Sequence, residues 1–109
     1  MTATEQDLTI YSGDSHYITV TVTDVDGAAK NLVGATVKYQ AGQAITKASG
    51  GHGIAITDPA AGQFVITLEP DDTKDLVGIF AHEAEVTDSS DDVSTVLVGR
   101  LTIKEDLIE

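Results

Sequence analysis

Along most of the chain, apolar and polar residues alternate at period two, the spacing of a strand with one buried and one wet face. The clearest run is 16–24, where Ile18, Val20 and Val22 alternate with Tyr17, Thr19, Thr21 and Thr23. Leu8 to Tyr11 predicts a short edge strand before it, set off by Ser12, Gly13 and Asp14, whose residues favour a turn. Ala35 to Gln40 predicts a strand with Ala35, Val37 and Tyr39 on one side, and Ala44 to Ala48 a short return strand. Ile54 to Thr57 and Gln63 to Leu68 flank the turn residues Asp58, Pro59 and Gly62, which predicts a hairpin with Phe64, Ile66 and Leu68 inward. Ile79 to Thr87 sets Phe80, His82, Ala84 and Val86 against Ala81, Glu83 and Glu85. The last strand runs from Val93 to Lys104, where Gly99 predicts a bulge or bend and Leu101 and Ile103 complete the core.

Between these runs lie the breakers. Asp24, Val25, Asp26 and Gly27 predict a tight reversal. Ser49 to Gly53 holds three glycines in five residues and predicts a mobile loop. Pro70 to Leu76 is the one stretch that predicts a helical turn, since Pro suits a first helical position and Asp71 and Asp72 suit the positive end of the helix dipole. The acids from Asp88 to Asp92 mark a solvated loop. Together the pattern predicts an all-β fold: an antiparallel immunoglobulin-like β-sandwich of about seven strands, with at most one short helical turn near 70–76. Residues 1–109 then form a single domain, with 1–6 and 105–109 as flexible or partner-docked ends.

Composition sharpens this reading. Val, Ile and Thr make up 34 of the 109 residues, which favours pleated over helical backbone. Eighteen Asp and Glu against six Lys and Arg give a net charge of -12, so no basic footprint for nucleic acid is expected. No apolar run approaches the roughly 20 residues that span a bilayer, and no membrane association is expected. The lack of cysteine excludes disulfides, a thiolate nucleophile, zinc–thiolate sites and iron–sulfur clusters.

Candidate chemistry is thin. Asp24, Asp26 and Gly27 resemble the start of a calcium loop, but Ala28, Ala29 and Lys30 follow where further oxygen ligands belong, so they are weak metal candidates. Asp71, Asp72 and Asp75, or Asp88, Asp91 and Asp92, would gather a cation only if two loops met. Of the histidines, His16 and His52 lack a catalytic context. His82, in phase with Phe80 and Ala84, reads as a partly buried histidine bonded to backbone. No nucleophile elbow, phosphate loop or zinc-binding His pair occurs. The chain is expected to be no enzyme and to need no cofactor. Its five aromatic side chains, three of them on core faces, are too few for a sugar-stacking platform.

Taken in order, several stretches resemble an immunoglobulin-like structural domain of tailed bacteriophages and prophages, similar to the N-terminal domain of phage baseplate upper proteins. They are 8–14 (LTIYSGD), 20–24 with Asp26 and Gly27, 32–37 (LVGATV), 53–56 (GIAI), 62–68 (GQFVITL), Asp72 and Thr73 before Leu76, 83–88 (EAEVTD), 95–97 and 99–103 (GRLTI). The resemblance covers most of Leu8 to Ile103 and rests on the series rather than on any one piece. It implies a non-enzymatic virion structural protein, made in the host cytoplasm, with no catalytic residue to carry across.

In baseplate upper proteins further chain follows this domain, whereas here the sequence stops at Glu109. The expectation is therefore a capsid decoration, cement or head-associated protein. A tail, neck or baseplate adaptor is the alternative, and a calcium-dependent adhesion module a third reading. Its partners would be major capsid or tail proteins and other copies of itself, with Lys or Arg on the surface that receives so acidic a subunit. Val96 and Val98 lie out of phase with Leu101 and Ile103, so unless Gly99 shifts the phase they form an outer apolar strip. That strip, with Leu107 and Ile108 in the tail, is the interface expected from the sequence.

Overall fold

The computed structural model describes residues 4–23 and 27–105. Nine strands are present among them: β1 (Thr4–Glu5), β2 (Leu8–Tyr11), β3 (His16–Thr21), β4 (Thr36–Ala41), β5 (Ile45–Ser49), β6 (Gly53–Asp58), β7 (Gln63–Leu68), β8 (Gly78–Thr87) and β9 (Val93–Lys104). A 3-10 turn (Pro59–Ala61) joins β6 to β7, and a single helical turn, α1 (Pro70–Thr73), joins β7 to β8. The helical turn falls where Pro70 and its acids predict one. β1 has no counterpart in the alternation, because two residues are too few to display a period.

The strands form one sheet in the order β1-β9-β8-β4-β5-β6-β7-β3, with β2 also on β9. The sheet curls until it is nearly closed into a barrel. Most neighbours run antiparallel, but β1 and β2 lie parallel to β9. β5 and β6 are joined in parallel at only two positions, Ala48 with Gly53 and Ser49 with Ile54. That short link makes the strands one continuous sheet.

The inward residues of each strand build one core. Ile18 and Val20 of β3 meet Phe64, Ile66 and Leu68 of β7, while Val37, Tyr39 and Ala41 of β4 meet Ala84 and Val86 of β8. Leu97, Leu101 and Ile103 of β9 complete it. Burying each large apolar side chain contributes about 1.5–3 kcal/mol, which is why the period-two residues fix the strand register.

Two glycines are required by close backbone approach. Gly62 closes the 3-10 turn at φ 72°, and a Cβ there would lie 2.5 Å from the Val22 carbonyl and 2.7 Å from that of Lys30. Those segments are tied together by the Val22 N–H to the Gly62 carbonyl (2.8 Å) and the Lys30 N–H to the Val22 carbonyl (2.9 Å).

Gly99, at φ 151°, does not make the bulge expected of it. It sits in regular register opposite His82, and a Cβ there would lie 2.3 Å from the Gln6 carbonyl oxygen. The irregularity lies three residues earlier. Ala84 pairs with Leu97 and Glu85 with Thr95, which leaves Val96 as the extra residue. A bulge turns two successive side chains to one face. Val96 and Leu97 are accordingly both buried, at 2% and 0% exposure.

Candidate functional site

The bulge removes half of the interface expected from the sequence. Val96 is a core residue, so the outer apolar strip on β9 does not form. Val98 is half-buried, with Glu83 opposite it on β8 and Glu5 on β1, and its carbonyl accepts the Gln6 N–H at 2.8 Å. Leu107 and Ile108 lie outside the described residues, as do the calcium-loop candidates Asp24 and Asp26. Of the ends expected to float or dock on a partner, residues 4–6 instead pair with this chain's own β9.

Around Gly99 the N-terminal segment runs parallel along β9 and is held there by side chains. His82 is 2% exposed, and its Nε2 lies 2.6 Å from the Gln6 carbonyl oxygen. A carbonyl only accepts, so Nε2 carries the proton and Nδ1 accepts from the Tyr39 hydroxyl at 3.0 Å. The two rings meet edge to face, with centroids 5.7 Å apart. Asp7 adds a further tie to β9 by accepting the Arg100 N–H at 2.9 Å. Burial pushes the Tyr39 phenol above its usual range. Both nitrogens of His82 are engaged, so this triad of Tyr39, His82 and Gln6 serves as an internal latch. The phase of β8 indicated the burial of His82; nothing in the sequence indicated Gln6 as its partner.

The other acids and histidines do not converge. His52 is exposed in the glycine turn, and His16 stands at the start of β3. Asp72 meets Lys47 at 2.6 Å and accepts the Glu69 N–H at 2.6 Å, so it caps α1. Asp88 folds its own loop: its carboxylate accepts the N–H groups of Ser90 (2.9 Å) and Asp92 (3.0 Å) and faces Lys30 at 3.6 Å. The backbone N–H of Asp92, then that of Ser90, with Lys30 adding to them, holds the Asp88 carboxyl below the usual carboxylate range. Among the described residues, no three His, Asp or Glu side chains stand together as a metal site.

What the surface does offer is apolar exposure away from β9's expected strip. Tyr17 on β3 is 71% exposed and Ile79 on β8 is 68% exposed, with Tyr11, Val33, Val77 and Val93 less so. The period-two phase placed Tyr17 on the wet face. The two ends of the sheet, β2 and β3, come side by side without pairing. The seam between them is a groove lined by 8–10 and 16–19, together with Gln6. No protein-family model matches the chain, and no curated protein matches it either.

Proposed function

We propose that this chain is a non-enzymatic structural protein of a tailed-phage virion, acting through protein–protein contacts as a capsid decoration, cement or head-associated subunit. The strand order carries the reading. β2 lies parallel on β9, β9-β8-β4-β5 run on from it, and β6-β7-β3 form the other run. An immunoglobulin-like sandwich would pair its strands in these two runs, and the two-residue β5–β6 contact that joins them into one sheet supports that reading. Stretches that resemble the phage domain fall on strands of both runs: 8–11 on β2, 20–21 on β3, 62–68 leading into and through β7, and 99–103 on β9. The latched histidine and the self-contained Asp72 and Asp88 turns support a scaffold, since each polar cluster already has structural partners.

The test is co-sedimentation of the purified chain with capsids or virus-like particles and, in a parallel arm, with purified tails. Saturable binding to capsids supports decoration, and binding confined to tails or baseplates moves the chain to the adaptor role. Failure to bind any particle, together with a melting temperature that rises in calcium, overturns the virion reading in favour of adhesion.

A further inference from the structure

We propose that the free edge of β3 pairs with the same edge of a second copy of this chain, antiparallel about a two-fold axis. β3 is paired with β7 over all six residues, His16 to Thr21, and makes no other ladder among the described residues. Its second edge borders the seam. Proteins normally blunt such an edge with charge, proline, a bulge or shortness, because an unpaired row of N–H and C=O groups recruits another strand. The sheet's other edge is blunted: β1 has two residues, β2 has four, and Glu5 and Asp7 lie along them. β3 is not. Its six residues contain no Asp, Glu, Lys, Arg or Pro, and its register with β7 runs without a shift.

Charge selects the occupant. In a chain of net charge -12, a strand without a carboxylate is where two copies can meet with no like charges directly opposed. The outer row of β3 is Tyr17, Thr19 and Thr21, all exposed. Antiparallel pairing centred on Thr19 sets Tyr17 of one copy opposite Thr21 of the other, and the reverse. Aromatic–β-branched cross-strand pairs of this kind are favourable. A two-fold contact is also self-complementary and closed, so it stops at the dimer.

A six-residue edge is small for an interface, so the dimer is a weak one whose fraction rises with concentration between about 10 μM and 1 mM. Light scattering and sedimentation on the isolated chain test this. Thr19→Lys on the outer row shifts the chain to monomer over that range, and Tyr17→Glu does the same. Thr102→Lys, on the outer face of β9, leaves the dimer as it was. Circular dichroism and the melting temperature of each variant show that loss of the dimer is not loss of the fold.

Amide exchange on β3 slows as wild-type concentration rises. A wild-type chain that stays monomeric to about 1 mM overturns the proposal. So does a dimer that survives both β3 substitutions, or pairing of the edge only with a segment of another protein. The inference stands apart from the virion reading: a monomer that coats capsids refutes this edge and leaves that function, and a dimer that ignores particles does the reverse.

Discussion

His82 donates a 2.6 Å hydrogen bond from Nε2 to the backbone carbonyl of Gln6, two residues 76 positions apart in the chain. This bond, the Gln6 N–H to the Val98 carbonyl and the Asp7 carboxylate on the Arg100 N–H tie the N-terminal strands to β9 where they change from β1 to β2. Replacing His82 with Phe keeps the ring and deletes both hydrogen bonds, leaving the Tyr39 hydroxyl buried without its partner. The expected cost is about 1–3 kcal/mol in chemical denaturation. Residues 4–11 should also become faster in amide exchange than β7. Equal exchange in variant and wild type would show that the latch does not hold the segment.

Gly99→Ala tests the close approach of Gln6 to β9. The added Cβ would stand 2.3 Å from the Gln6 carbonyl oxygen, at a φ of 151° that L side chains rarely adopt. The backbone conformation alone costs about 1–3 kcal/mol, and displacing Gln6 also breaks its bond with His82. Gly50→Ala, where a Cβ has open space, carries only the conformational penalty. The measured loss should therefore be larger at Gly99 than at Gly50.

Tyr39 gives an alkaline signature. Burial raises the pKa of its phenol in the folded state, so the stability linked to it is intact below the unfolded value, near 10, and is lost as pH rises above that. Ultraviolet titration should find the Tyr39 phenol withheld until the protein unfolds. In Tyr39→Phe the alkaline fall in stability is shallower. At neutral pH the same variant loses about 1–3 kcal/mol, because His82 Nδ1 loses its donor.

Val96 and Val98 separate core from surface on one strand. Val96→Thr places a hydroxyl at a 2%-exposed site in the bulge and should cost about 1–3 kcal/mol. Val98→Thr, on the outer half-buried row, should stay within about 0.5 kcal/mol of wild type. Similar losses at both sites would contradict the Val96 bulge.

The strands and their buried rows were legible because Ile18, Val20, Val37, Phe64 and Ile66 each repeat at period two on a sheet with one wet face. The same rule failed at Val96, since a bulge resets the phase without a marker residue of its own. Gly99, the conspicuous candidate, is glycine for a different reason: another segment of chain lies against it. That reason is long-range, as is the pairing of Gln6 with His82, and neither leaves a local pattern. Local chemistry did reveal the α1 turn, through Pro70 with its acids, and the loop at Asp88, through its run of acids, though not the bonds by which Asp88 folds it.

The Asp88 loop supplies the acid limb. Its carboxyl is held below the usual range chiefly by the Asp92 and Ser90 N–H groups, so its contribution to stability is present above the unfolded pKa, near 3.9, and is lost as pH falls through the lower folded value. Asp88→Asn keeps an oxygen where Oδ1 accepts both the Ser90 and Asp92 N–H groups, but removes the charge and the attraction of Oδ2 to Lys30. Between about pH 4 and pH 2 the variant's stability should fall less steeply than that of wild type, and the two should differ most above pH 4. Asp91→Asn is the control, because Asn tolerates the φ of 65° found there and Asp91 takes no part in the Asp88 carboxylate bonds. Denaturant midpoints measured across pH decide it: identical slopes for Asp88→Asn and wild type would mean that the loop bonds carry no linked proton.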